Sequence, residues 1–310
     1  MEKVLKSYLE YICGKDNVTE DVPLSTKTTF RIGGPARFFV IVPTKQSLVR
    51  LISTLKYVEY KYFIIGVGAN ILVSDEGFDG VVIKLGFSQI VDNQCFVYAD
   101  AGASLSKVCT FARQQNLTGL EWACGIPATI GGAVYMNAGA HGGQMSDVIT
   151  MVDVLIDGEI KTMENRQLRF AYRKSIFHSK KDWVILGTYL YLKKSNKQQI
   201  EDLENKYISY RKQTQPTEHS AGSVFRKPNE SFAVGKAIDE LGLKGTQIGG
   251  ACISTKHAGF IVNMGNATAK DVINLMKLVR KQVYNKHQIK LKKEILYLDN
   301  SFKNKKTPYL

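Results

Sequence analysis

Between residues 119 and 143 the chain reads GLEWACGIPATIGGAVYMNAGAHGG, and seven of these twenty-five residues are glycine. Glycine loses more backbone entropy on folding than any other residue, so such density persists where the main chain must approach something closely. A shorter stretch, Gly66-Val-Gly-Ala-Asn-Ile-Leu72, follows an apolar strand. A dinucleotide fingerprint would need glycine where Ile71 stands and a helix after it, but the next residues read as a strand. Two readings survive there: an ordinary tight turn, or a turn whose bare N–H groups face an anion. Two such separated stretches, each near a strand end, suit a ligand lying extended between two subdomains.

The rest of the composition excludes several classes. With 310 residues, 44% hydrophobic and 23% charged, the chain is long enough for two or three domains with cores of their own. No run reaches the roughly 18 apolar residues of a membrane helix. The opening MEKVLKSYLEYICGK places Val4, Leu5, Tyr8, Leu9 and Ile12 on one helical face, which reads as a docking helix rather than a secretion signal. A cytoplasmic monomer without membrane insertion is expected. The five cysteines are scattered without a C-x-x-C pair, so reduced buried thiols and no metal site are expected. Of the net +14, residues 270–310 carry +8, from 11 Lys and Arg against 3 Asp and Glu. No arginine-rich or aromatic-interleaved basic motif accompanies this charge, so it reads as solvated surface and no nucleic-acid partner is expected.

Three units of mixed α+β type are expected: residues 1–84, 85–199 and 200–300, followed by a basic tail at 301–310. The first holds a turn followed by an apolar strand over Thr28–Pro43, a helix over Thr44–Val58 capped by Thr44, and strands at Phe63–Val67 and Ile71–Ser74. The second holds strands at Gln94–Ala99, Met151–Leu155 and Val184–Leu192, with a helix at Leu105–Gln115. The third opens on a charged helix, Ile200–Lys212. It continues with helices at Phe232–Glu240 and Ala269–Lys286 and strands at Ile253, Gly259–Asn263 and Ile289–Tyr297.

Seven motifs occur in order: TTFRIGGPA, GVGANILVSD, GIPATIGGAVYMNAGA, YRKSIF, SAGSVF, STKHAGFIVN and LKKEI. Together, over about Pro23 to Tyr297, they closely resemble the UDP-N-acetylenolpyruvoylglucosamine reductase family. The resemblance implies a two-subdomain FAD-binding fold of the vanillyl-alcohol-oxidase type plus a C-terminal α+β substrate-binding domain. It implies noncovalent FAD contacts at Arg31, at Gly66, Val67, Gly68, Ala69, Asn70, Ile71 and Leu72, and along the second stretch. There the implied contacts are Gly125, Ile126, Pro127, Thr129, Ile130, Gly131, Gly132, Ala133, Asn137, Gly139 and Ala140. His141, inside that stretch, is not expected to carry the flavin covalently. The residues KKSNKQQ between Leu192 and Ile200 leave no room for the tyrosine-bearing insertion of some relatives, so the chain resembles the shorter type.

The implied reaction reduces an enolpyruvyl ether, UDP-N-acetylglucosamine enolpyruvate, to UDP-N-acetylmuramate in peptidoglycan precursor synthesis. NADPH is the hydride donor and FAD the carrier. Hydride arriving at the terminal carbon leaves negative charge beside a carboxylate, which needs preplaced donors and then a proton. Arg173 matches the family's stabilising arginine, whose fork of donors suits that carboxylate. Glu294 matches its acidic residue, and Ser223 its proton donor. Taken alone, these would read as a surface arginine, a strand-surface glutamate beside Lys292 and Lys293, and a turn serine. Tyr172 and Arg211 match positions near the nucleotide-sugar phosphates. His257 matches a substrate-contacting position, although a lone histidine is more often structural. A sugar or lactone oxidase of the same fold is the alternative, and a basic nucleic-acid-binding protein a remote one.

Overall fold

The structure, a computed structural model, describes residues 2–302 and 304. The rest of the basic tail expected at 301–310 lies outside the described residues. Three main sheets organise the chain. In the first, the strand order is Val18–Pro23, Pro35–Val42, Phe78–Leu85, Tyr62–Ile65. Phe78–Leu85 is parallel to both of its neighbours, and Val18–Pro23 is antiparallel at one edge. Parallel neighbours need a crossover, which the helix Lys45–Tyr57 supplies. Thr44 caps it as expected, its hydroxyl accepting the Ser47 N–H at 3.0 Å. Leu48, Leu51, Ile52 and Leu55 are buried beneath it, each contributing about 2 kcal/mol of transfer free energy. The helix Glu2–Cys13 docks on the same layer through Leu5, Leu9 and Cys13. Val4 and Tyr8, expected on that face, are 74% and 43% exposed. A single helix on a sheet edge buries only the narrow i, i+4, i+8 seam, and these two flank it.

The second sheet is antiparallel throughout, in the order Glu159–Glu164, Ile149–Ile156, Val184–Tyr191, Phe96–Asp100, Ile90–Asn93. The strand expected at Gln94–Ala99 is the second arm of a hairpin, because Gln94 adopts φ 59° at the turn. The strand Glu159–Glu164 is almost wholly exposed and shows no apolar alternation, so nothing in the sequence announces it.

The glycine-dense segment, expected as loop, contains a helix at Ile130–Met136. Its propensity is poor, with two glycines and a valine. It stands because Thr129 Oγ1 accepts the Gly132 N–H and because Ile130, Ala133 and Val134 enter the core of the second unit. The charged helix, Lys197–Thr214, also packs on this unit, through Tyr207, Ile208 and an Arg113–Glu204 ion pair at 2.7 Å.

The third sheet, His219–Ser223, Phe260–Asn263, Ala251–Ile253, Gln247–Ile248, is backed by helices Val234–Glu240 and Ala269–His287. The expected strand over Ile289–Tyr297 shortens to Leu296–Leu298, which pairs with Ile71–Val73 of the first unit. Its earlier residues meet only one bridge, Phe225 with Lys293. Asp75 binds the first and third units together by accepting the N–H groups of Ala269 and Lys270 at 2.7 and 3.2 Å. The architecture is of the α+β class, as expected.

Candidate active site

Where the three units meet, a cleft of about 1300 Å³ opens, walled by both glycine-containing stretches. The Gly66–Asn70 turn leaves the parallel strand Tyr62–Ile65, and the main-chain N–H groups of Val67, Gly68, Ala69 and Asn70 have no acceptor among the described residues. Gly68 has φ +67°, and a Cβ there would stand 2.6 Å from the Lys27 carbonyl. A Cβ at Gly66 would meet Thr129 Oγ1 at 2.6 Å, so here the two stretches touch. Four consecutive unpaired amides, on a turn that glycine at 66 and 68 allows, suit an anion such as a pyrophosphate. The apolar wall Ile126–Ala128 and the small residues Gly131–Ala133 fit a flat ring system alongside.

At one end of the cleft stands a polar pair. Arg173 donates through Nε to Glu294 Oε1 at 3.0 Å and through Nη2 to the Gly139 carbonyl at 2.7 Å. Arg173 itself sits at φ 53°, a strained setting for a residue with a Cβ, of the kind that clusters at functional sites. The Glu294 side chain is 12% exposed. Burial pushes its carboxyl above the ordinary range, while the guanidinium groups of Arg173 and Arg226 pull it back. Ser223 enters the same cleft at the end of its strand, after Gly222 at φ +75°, where a register shift breaks the ladder. Arg173, Ser223 and Glu294, separated widely in sequence, therefore line one cleft.

The remaining expected residues divide. Gly66, Val67, Gly68, Ala69, Asn70, Ile71, Gly125, Ile126, Pro127, Thr129, Gly131, Gly132, Ala133, Gly139 and Ala140 line the cleft. Leu72 and Ile130 are core residues behind it. Asn137 is 1% exposed and ends the helix Ile130–Met136 at φ 42°, its amide nitrogen bonding Gln144 and the Ala171 carbonyl. Arg31 lies in an adjoining groove shared with Gly66, Val67 and His219. Arg211 reaches the cleft, and burial lowers its pKa. Tyr172 lies beside the pair, its ring under the Arg173 guanidinium at 5.2 Å. His257 stays away: its Nδ1 accepts the Gly259 N–H at 3.1 Å and its ring meets Phe260 edge-on. That is the structural role its surroundings explain.

Sequence reasoning missed the neighbours of the pair. His178 stacks on Tyr135 at 4.4 Å, and burial with the nearby Arg226 charge pushes it down to about 4. Arg226 runs beside Glu294, its N–H bonded to the Lys292 carbonyl while Glu294 N–H bonds Val224. Their places directly after YRKSIF and SAGSVF were the only signal. His141 lines the cleft and stacks on Tyr207 at 4.2 Å. All five cysteines are free, and no cluster able to hold a metal occurs among the described residues. Among them, too, no helix is long and apolar enough to cross a membrane.

Comparison with known proteins agrees with this geometry. Residues 36–164 match an FAD binding domain, and residues 215–298 match the C-terminal domain of UDP-N-acetylenolpyruvoylglucosamine reductase. The reductase of that name from Pseudothermotoga lettingae is 42% identical over 276 residues, covering 89% of this chain and 95% of its own. The Bacillus subtilis reductase is 41% identical over 301 residues, covering 95% of this chain and 98% of its own. The crystal structure of the Thermus caldophilus reductase superposes with a TM-score of 0.80 at 36% identity, covering 90% of this chain and 98% of that one. The cleft thus lies between an FAD-binding domain and a reductase C-terminal domain, in a chain alike along nearly its whole length to enzymes of one name: the chain belongs to the UDP-N-acetylenolpyruvoylglucosamine reductase family.

Proposed function

We propose that this enzyme uses NADPH and noncovalent FAD to reduce UDP-N-acetylglucosamine enolpyruvate to UDP-N-acetylmuramate, in the cytoplasm, for peptidoglycan precursor synthesis. The observation that carries the reading is the Arg173–Glu294 pair, 3.0 Å apart, sharing a cleft with the Ser223 hydroxyl and a turn of unpaired amides. FAD, held by the Val67–Asn70 turn and the glycine wall, would supply the hydride-carrier chemistry between NADPH and the enolpyruvyl substrate.

The protein's own groups then have distinct tasks. Val67–Asn70 N–H groups hold the cofactor pyrophosphate, and the glycine wall lets a flat ring lie against the main chain. Arg173, fixed by Gly139 and Glu294, faces the substrate carboxylate and stabilises the negative charge that builds beside it. Glu294 is favoured as a neutral acid by burial and as a carboxylate by Arg173 and Arg226, so it responds to charge arriving at the substrate. Ser223 donates its hydroxyl proton to the carbon that did not receive hydride. Arg211, partly desolvated on the rim, meets the UDP diphosphate.

The test is NADPH consumption by purified enzyme with and without the enolpyruvyl substrate. Oxidation strictly dependent on that substrate, with UDP-N-acetylmuramate as product, is expected. NADPH oxidation that ignores it, or a colourless protein that takes up no FAD, refutes the reading.

A further inference from the structure

The chain continues past the family's C-terminal domain, whose match ends at residue 298. After Leu298 it turns back onto the first sheet. Asn300 accepts the Asp79 N–H on Oδ1 at 2.6 Å and Lys61 Nζ on its carbonyl at 3.3 Å. The Phe302 ring packs edge-on against Phe63 and Phe78, with centroids 5.3 and 6.1 Å away, and Lys181 Nζ lies 5.6 Å above it. Asn304 Oδ1 accepts the Tyr62 N–H at 3.0 Å. Phe302 and Asn304 both line the cleft.

Which end of the cleft they line follows from the strand Tyr62–Ile65, an edge of its sheet. The Lys61 carbonyl accepts Val81 N–H inside the sheet, while Tyr62 N–H points out to Asn304. Alternation along the strand then turns the N–H and C=O of Tyr62 and Ile64 to the open edge. The strand feeds the Gly66–Asn70 turn, whose far end touches the polar pair: Asn70 Nδ2 donates to the Glu294 carbonyl at 3.4 Å. Tyr62 lies four residues behind Gly66, about 13 Å at the strand rise. A dinucleotide with its pyrophosphate on the amides and its reactive ring by Arg173 and Glu294 therefore extends its adenosine towards Tyr62, Trp183 and Phe302.

We propose that Phe302 and Asn304 form the adenosine-side wall of the FAD site, with Phe302 presenting an apolar face to the purine and Asn304 completing the open strand edge. The inference rests on the FAD reading above. A purine needs flat apolar cover and edge donors and acceptors, and the Phe302 ring and the open-edge residue Ile64 both line the cleft.

The test measures binding of FAD and of FMN, which lacks the adenosine half, to apoprotein prepared from the full chain. The variants are a truncation after Ser301, Phe302→Ala, Asn304→Ala and Phe302→Leu as the conservative control. FAD affinity should fall about tenfold on truncation and in Phe302→Ala, and about threefold in Asn304→Ala, with Phe302→Leu near the parent. FMN affinity should not change in any of them. Unchanged or tighter FAD binding overturns the proposal, and so does an equal loss for both flavins, which would mean general damage to the first sheet. Failure of the parent chain to bind either flavin overturns the functional reading itself, and is seen before any variant is made.

Discussion

The two glycine-containing stretches look alike in sequence and do different work. In Gly66–Asn70 the glycines free the amides: four consecutive N–H groups point at nothing within the described protein. In Gly125–Ala140 many of the amides are already used within the fold. Ile130 and Gly131 N–H bond the Ala103 and Ala101 carbonyls at 2.8 Å, and Gly132 N–H bonds Thr129. Glycine there supplies space, as where a Cβ at Gly131 would come within 3.0 Å of Ala101 Cβ. Each stretch also holds one half of the polar pair. Asn70 bonds the main chain at Glu294 and Leu296, and Gly139 holds Arg173. Glycine density alone thus says that backbone comes close, and hydrogen-bond accounting says to what.

If chemistry is performed between the stretches and binding on them, Ser223→Ala should give the largest effect. Substrate reduction should slow by about 10²–10⁴, while flavin reduction by NADPH is unchanged. Equal loss in both half-reactions would remove Ser223 from the proton step. Next in size, Gly68→Val should weaken FAD binding at least about hundredfold, since it strains a φ of +67° and crowds the Lys27 carbonyl. Flavin titration of the apoprotein checks this, and an affinity within a few-fold of the parent would break the distinction between the stretches.

The opposite signature is expected at Gly143, the last glycine of the dense segment, which does not line the cleft. A Cβ there would stand 2.3 Å from the Trp122 ring, so Gly143→Ala should cost about 2 kcal/mol of folding stability with little change in FAD affinity. Denaturant unfolding alongside the flavin titration separates the two. A stability unchanged from the parent would show that Trp122 yields freely.

The smallest effect concerns pH. His178 is depressed to about 4 from 6.5 in the folded state, so between those values the unfolded chain binds a proton that the folded one does not. Stability is therefore full above about pH 6.5 and falls as pH drops towards 4. His178→Asn should flatten that part of the melting-temperature profile and leave neutral pH nearly unchanged. A parallel profile would mean His178 does not titrate as its burial implies.

Much of this was legible in the sequence. The helix Lys45–Tyr57 was visible because its signals are local: a Thr44 cap and apolar residues at helical spacing. The helix Ala269–His287 carries a comparable local signal in its Thr268–Asp271 capping box. The cleft-lining glycines and the pair Arg173 and Glu294 were reached through motif order, which no single residue conveys. The helix at Ile130–Met136 was hidden, since its stability comes from Ala101, Ala103 and the second core rather than from propensity. The shortening of Ile289–Tyr297 was hidden for a similar reason: only Leu296–Leu298 finds a partner strand, in another unit. Phe302 and Asn304 look like tail residues until Phe63 and Tyr62 are placed beside them.

The most direct test of the account is anaerobic and watches flavin absorbance through both half-reactions in one cuvette. NADPH should bleach the yellow enzyme, and UDP-N-acetylglucosamine enolpyruvate, added without oxygen, should restore the colour in step with formation of UDP-N-acetylmuramate. An enzyme that stays bleached with that substrate and recovers colour only when oxygen is admitted would contradict the account and point to an oxidase.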